Sequence, residues 1–290
     1  MFDNIAEVKE YFDTISIDKS PKTIRVYSDA VNKMFSYLHI ESFQDVKKIT
    51  VKNLRDHQNN MLQSGMQPSS VNTNTRPIRA MFNWLVENEY LNKSPMDKMK
   101  DLKAKRKDPA VITEDEITLM VKACKNELDR ILLVMYLTTG LRREELISLK
   151  LSDYNGTHIN PLRKGNEKQE IILQPGVKNL LDKYLEKRIV KYPNTDALFV
   201  SKMGKRFTGT AIYYKIKSIA KLAGLPEDRI KLIHVHSTRH SFAGKMLDEG
   251  NDIHTLQRIL NHRSIATTML YAHLSTKKMD SAILNQKEIV

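Results

Sequence analysis

Toward its C-terminus the chain reads His236-Ser-Thr-Arg239-His240, then Leu260-Asn-His262-Arg-Ser-Ile-Ala-Thr267-Thr268-Met-Leu-Tyr271. Upstream, Thr139-Gly140-Leu141-Arg142-Arg-Glu-Glu145-Leu146 adds another arginine, and Lys164-Gly165-Asn166 adds a lysine in a turn. Arginine, lysine, histidine, arginine, histidine and tyrosine, in that order, are parts that could break a phosphodiester through a tyrosine without a metal. Such a reaction has two problems. A phenol is mostly protonated at neutral pH, with a pKa of about 10 in isolation, and the transition state gathers negative charge on two non-bridging oxygens. Guanidinium groups answer the second problem, because their planar fork holds phosphate oxygens and stays charged. Histidine and lysine can answer the first by moving protons.

Taken singly, each of these residues also has an ordinary structural reading. Arg142 could pair with Glu144 or Glu145, Lys164 could be an exposed turn lysine, and His262 could cap the helix formed by Ile253, Leu256, Ile259 and Leu260. Tyr271 could be a core tyrosine on an amphipathic helix. His236 and Arg239 share a helix face if their segment is helical.

The elements that would position them are mainly α-helices. Ser20-Pro21-Lys22-Thr23 is a helix start, with Ser20 as N-cap and Pro21 at the first helical position. Ile24, Tyr27, Val31, Met34, Phe35 and Leu38 follow at helical spacing. A second helix is expected from Thr50 to a stop at Gly65. A third opens at Pro68-Ser69-Ser70 and buries Ile78, Met81, Phe82 and Leu85, with Pro77 predicting a kink or a late start. Thr113-Glu-Asp-Glu116 is a capping box that opens a second domain. Ile131 to Leu137 reads as a buried helix that continues into Arg142 and Leu149. Between Asp153 and Gln174 the pattern changes to a small antiparallel β-sheet: turn pairs at Asn155-Gly156 and Lys164-Gly165-Asn166, strands at Thr157-His-Ile and Glu170–Leu173. Helices resume near Gly176. The predicted division is a helical domain over 1–102, a basic linker over 103–110 and a catalytic domain over 111–290.

Composition agrees with a partner of opposite charge. The net charge is +13, with +4 in residues 1–110 and +9 in 111–290, so a polyanion would meet both halves. Lys103, Lys105, Arg106 and Lys107 in the linker, and Lys202, Lys205, Arg206, Lys215 and Lys217 further on, are the candidate phosphate contacts. The single cysteine, Cys124, excludes an internal disulfide and a cysteine-built zinc site, and fits a reducing cytosol. The apolar run Ile131–Tyr136 is far too short for a bilayer span, and no signal-peptide pattern opens the chain.

The patterns His-x-x-Arg-His, Leu-x-His followed by Thr-Thr-x-x-Tyr, and Thr-Gly-Leu-Arg-x-x-Glu-Leu together resemble the tyrosine recombinase (phage integrase-like) family, in size and layout its Xer-like members. The resemblance runs through residues 110–275 in motif order; the N-terminal part carries only Ser20, Thr23 and Tyr27 of an opening motif. It implies a two-domain DNA clamp: a helical, SAM-like core-binding domain and a mainly α catalytic domain with a small antiparallel sheet. It implies site-specific cleavage and rejoining of DNA through a 3′-phosphotyrosyl bond to Tyr271. In that scheme Arg142 and Arg239 clamp the phosphate, His236 takes or holds the tyrosine proton, and Lys164 protonates the leaving 5′-oxygen. His262 hydrogen-bonds a non-bridging oxygen, and Glu145 orients the histidines or arginines around it. Lys168 is the rival to Lys164. No metal or cofactor is implied. The expected partners are double-stranded DNA bearing a specific recombination site and further copies of the chain, a dimer per site and a tetramer in the synapse, with accessory proteins admitted. The protein is expected in the cytoplasm and off the membrane. A tail carrying Met279, Ile283 and Leu284 follows the tyrosine, and in relatives such a tail packs on a neighbouring protomer. One departure concerns Asn261, which stands where the family usually has glycine; Asn tolerates the left-handed backbone that glycine favours. A type IB topoisomerase and a catalytically silent DNA-binding regulator are the competing readings.

Overall fold

The computed structural model describes residues 4–104, 109–163 and 167–274, with side chains as far as Tyr271. The chain divides into two compact units, 1–107 and 108–290, and the division falls inside the predicted linker. Among the described residues no helix is long and apolar enough to cross a membrane.

The first unit is built from α1 (Ala6–Ser16), α2 (Pro21–Leu38), α3 (Phe43–Lys47), α4 (Val51–Gln63) and α5 (Pro68–Glu87). Local chemistry sets most of their starts. Ser20 accepts the Thr23 N–H ahead of Pro21, and Thr50 and Asn53 form a reciprocal capping box. The expected late start at Pro77 is not seen: α5 begins at Pro68 and carries Pro77 within it. Val31, Met34 and Phe35 of α2, Met81, Phe82 and Leu85 of α5, and Val8, Tyr11 and Phe12 of α1 form one buried core.

The second unit starts with α6 (Glu114–Ala123), whose Thr113–Glu116 capping box is the predicted one. Next come α7 (Glu127–Thr139) and α8 (Arg143–Ile147). The long helix expected across Arg142 is therefore two helices. Gly140 ends α7 in the left-handed region at φ 60, and Arg142, extended at φ −68 and ψ 156, is the N-cap of α8. A Cβ at residue 140 would run into the Phe242 ring and come within 3.0 Å of Leu260 Cδ2, so the break needs glycine both for its backbone and for its space.

Strands β1 (His158–Ile159) and β2 (Ile171–Ile172) pair antiparallel, His158 opposite Ile172. An antiparallel bridge between Leu162 and Lys168 extends the pairing beyond these two strands. Helices α9 (Pro175–Lys191), α10 (Gly209–Leu222), α11 (Glu227–Leu232), α12 (Val235–Asp248), α13 (Ile253–Leu260) and α14 (Ile265–Thr268) complete the unit, and a 3₁₀ turn over Met269–Leu274 carries Tyr271. α7 is the central helix, packed by α9 and α12. Its buried Ile131, Leu132, Leu133, Met135 and Tyr136 belong to the main core. A smaller core of Phe242, Leu247, Leu256, Leu260 and Tyr271 joins α12, α13 and the 3₁₀ turn.

Candidate active site

The C-terminal end of α13 organises the polar cluster. The last carbonyls of a helix lack partners within it and carry partial negative charge. Here three successive carbonyls each receive a guanidinium from elsewhere in the unit. Arg163 Nη2 donates to the Ile259 carbonyl (3.1 Å), Arg239 Nη2 to Leu260 (2.7 Å) and Arg142 Nη2 to Asn261 (3.3 Å). Asn261 closes the helix at φ 49 and ψ 56, the left-handed conformation its type tolerates, so the site accommodates the departure from glycine. Arg239 is fixed further by the Gly140 carbonyl (2.6 Å), which ties it to the break between α7 and α8.

Glu145 is the counter-charge. Its carboxylate accepts the Arg142 backbone N–H (2.8 Å) and Arg142 Nη1 (2.7 Å), and it also pairs with Arg163. Burial pushes its pKa up, but the Arg163 charge and the Arg142 contacts outweigh that and hold it below the usual carboxylate value. The Arg163 side chain is 0% exposed and that of Arg142 33%, so the first is sealed in and the second reaches solvent. Burial, then the Arg142 charge, draws Arg239 down to about 10, still fully charged at pH 7. Three arginines around one carboxylate leave two uncompensated positive charges, an environment that suits an anion.

His262 and Tyr271 lie against this cluster. Arg239 Nη2 donates to His262 Nε2 (2.9 Å), and because a guanidinium only donates, the imidazole proton is on Nδ1, facing Thr268 Oγ1 at 2.9 Å. Burial, then the Arg239 and Arg142 charges, lowers the His262 pKa to about 4, so the ring is neutral. The Tyr271 ring lies nearly parallel to His262, with 6.2 Å between centroids, and its hydroxyl is 3.1 Å from His240 Nδ1. Tyr271 is 4% exposed; burial raises its pKa, with Arg239 and Arg142 opposing, and the phenol stays protonated at neutral pH.

Arg142, Glu145, Arg239, His262 and Tyr271 thus stand together as the sequence predicts. His236 shares the α12 face with Arg239 but is exposed, and its ring touches His234 at 6.1 Å between centroids. Crowding that partly desolvates it, followed by His234 and Arg239, holds its pKa below the ordinary value. Lys164 lies outside the described residues, as do Lys105, Arg106 and Lys107. Lys168, the rival, is 2.7 Å from Asp153 Oδ1. Among the described hydrogen bonds Glu145 holds arginines, and its charge also acts on His262.

Three members of the basic set have partners within unit 2. Lys215 is paired with Asp129, Lys217 donates to the Ile230 and Lys231 carbonyls at the end of α11, and Arg206 donates to the Ile147 and Leu149 carbonyls. These three hold unit 2 together. Lys103, Lys202 and Lys205 are exposed. Sequence reasoning missed Arg163, which reads as a turn arginine, and Thr268. It also missed His240, although the helical i,i+4 step from His236 pointed to it. Among the described residues no group of three or more His, Cys, Asp or Glu could hold a metal ion.

Residues 110–278 match the phage integrase family, and residues 8–89 match the phage integrase N-terminal SAM-like domain. The chain belongs to the phage integrase family. Two relatives within this similarity are tyrosine recombinases. One is XerC of Actinobacillus pleuropneumoniae serotype 7 (strain AP76), 28% identical over 92% of this chain and 89% of that one. The other is XerD of Staphylococcus epidermidis (strain ATCC 35984), 28% identical over 94% and 95%. Among solved structures, the XerH site-specific recombinase in its post-cleavage complex with palindromic difH aligns with a TM-score of 0.74 at 22% identity, over 92% of this chain and 80% of that one. A lambda integrase tetramer bound to a Holliday junction aligns with a TM-score of 0.72 at 14% identity, over 98% and 79%. These two structures share the fold of this integrase-family chain.

Proposed function

We propose that the protein is a site-specific DNA recombinase that cleaves one strand through Tyr271 and rejoins it to another. The observation that carries this is the placement of the Tyr271 hydroxyl beside an arginine cluster with excess positive charge, in the same unit and with its ring packed in a core. Arg142 and Arg239 receive the scissile phosphate, and preorganised donors of this kind are worth about 3–4 kcal/mol each in a transition state. His262 supplies a further hydrogen bond to a non-bridging oxygen once the arriving phosphate draws Arg239 away from its Nε2 and the ring takes a proton there. Glu145 positions the arginines. Lys164 delivers a proton to the leaving 5′-oxygen, a role that Lys168, engaged by Asp153, is less free to take. His236 is exposed on the α12 face that carries Arg239. The covalent phosphotyrosyl ester conserves bond energy, so rejoining needs no external energy source.

Residues 103–110 act as the linker between DNA-binding domain and catalytic domain, and the exposed Lys103, Lys202 and Lys205 track phosphates. The protein works in the cytoplasm on double-stranded DNA, two copies per recombination site and four in the synapse. Its job is the resolution of DNA dimers or cointegrates, or the integration and excision of a mobile element. Relatives named as recombinases over more than nine-tenths of this chain favour exchange over simple relaxation. An intact Tyr271 argues against a silent regulator.

The test is covalent trapping. Protein incubated with DNA cloned from around its own gene, in EDTA and without ATP, is denatured in detergent. A protein–DNA adduct that disappears in Tyr271→Phe is the expected result. An adduct of equal yield in that variant contradicts the proposal.

A further inference from the structure

A buried, protonated phenol becomes a nucleophile only when something takes its hydrogen. Two side chains approach the Tyr271 oxygen in the structure, and a third packs against its ring. Arg239 reaches it, but a guanidinium only donates, so it can steady the oxygen and cannot receive the proton. The His262 ring lies parallel to the tyrosine ring, with both nitrogens already engaged by Arg239 and Thr268. His240 Nδ1 stands 3.1 Å from the hydroxyl. His236, to which the sequence assigned this task, sits one helical turn away, exposed, and none of the described hydrogen bonds joins it to the phenol.

Resting on the tyrosine-nucleophile reading above, we propose that His240 is a further catalytic residue, the one that accepts the Tyr271 proton through Nδ1. In the resting state the phenol donates to Nδ1 and the ring hydrogen of His240 is on Nε2. As Tyr271 Oη bonds to phosphorus, the phenol O–H bond breaks and its proton passes to Nδ1. The bond from phosphorus to the 5′-oxygen breaks, and that oxygen takes a proton from the general acid named above. On rejoining, His240 returns its proton to the departing phenolate. Burial, then His236, His234 and Arg239, holds the His240 pKa down to about 4, so the ring is neutral and able to accept at pH 7. The arriving phosphodiester adds a negative charge beside it, which favours the imidazolium.

The experiment pairs His240→Asn with a fluorinated tyrosine at position 271. Asparagine can accept the hydrogen bond and cannot take the proton, whereas fluorination acidifies the phenol and reduces the need for an acceptor. Expected are near-native melting and DNA binding in His240→Asn, a cleavage rate lower by about 10²-fold or more, and partial recovery when the variant carries 3,5-difluorotyrosine. Cleavage within about threefold of the unsubstituted protein would overturn the proposal, given the size of general-base effects. So would an equal response to fluorination in both proteins, or a recovery specific to His236→Asn. The parent protein's adduct and its loss in Tyr271→Phe test the underlying reading separately. If His240→Asn does not fold, histidine-labelled ¹⁵N spectra of the parent and Tyr271→Phe proteins decide. The His240 Nδ1 signal should shift when the hydroxyl is removed, and an unchanged signal overturns the assignment.

Discussion

Arg163→Met removes a guanidinium that no solvent reaches and leaves the Glu145 carboxylate, whose side chain is 6% exposed, with Arg142 as its remaining ion-pair partner. Deleting one member of a buried pair costs about 3–5 kcal/mol, mainly because the survivor is stranded. Glu145 is not fully stranded, since Arg142 still donates to it from both backbone and side chain. The lower end of that range, about 3 kcal/mol, therefore applies, and the lost hydrogen bond to the Ile259 carbonyl is part of it. In a unit of about 150–250 residues each kcal/mol moves Tm by about 2–4 °C, so the melt should fall by roughly 6–12 °C. Scanning calorimetry of the full chain reads this directly. In a double-mutant cycle with Glu145→Gln the two losses should fall short of additivity by about 1–3 kcal/mol. A Tm within about 2 °C of the parent, or strict additivity in the cycle, would refute the view that Arg163 and Glu145 form one buried unit holding the hairpin to the end of α13.

Gly140→Ala forces a Cβ into Phe242 and a side chain into the left-handed region, so it should destabilise by about 1–3 kcal/mol. It should also slow cleavage, because the Gly140 carbonyl holds Arg239; calorimetry and the cleavage assay check both, and an unaffected protein contradicts the packing argument. Asn261→Gly should keep the left-handed cap with stability changed by no more than about 1 kcal/mol, whereas Asn261→Val should lose about 1–2 kcal/mol, read by the same melts. Stability should fall in mild acid. The folded pKa values of His240 and His262, about 4, lie below the ordinary 6.5, so the unfolded chain binds protons that the fold refuses. Their contribution is complete above pH 6.5 and is lost as pH falls toward 4. Equal melting temperatures at the two ends of that window would contradict it, as would an unchanged slope in His262→Asn.

What could be read from sequence was whatever local chemistry decides. Ser20-Pro21, Thr50, and Thr113 with Glu116 announce helix starts because caps act within one turn. α1 was missed: Ile5 precedes it with no side-chain cap, and the helix holds its place by burying Val8, Tyr11 and Phe12. The break at Gly140 was missed because apolar residues continue on both sides, from Tyr136 to Leu141 and Leu146, so periodicity alone does not register the stop. In the site, Arg142, Glu145, Arg239, His262 and Tyr271, all carried by motifs, lie together, whereas His236 from the same motifs is exposed. Arg163 was missed, since its burial follows from where α13 ends, a tertiary fact that a Pro-Leu-Arg-Lys turn does not advertise. Nor does sequence show that Arg206, Lys215 and Lys217, read as a phosphate-tracking surface, also hold carbonyls and an aspartate of their own unit.

In the proposed reaction one atom, the Tyr271 Oη, becomes bonded to DNA phosphorus. The most direct measurement is mass spectrometry of the trapped adduct after protease and nuclease digestion. A single modified peptide is expected, containing Tyr271 and carrying a nucleotide through a 3′-phosphate. A nucleotide on any other residue, or attached through a 5′-phosphate, contradicts it.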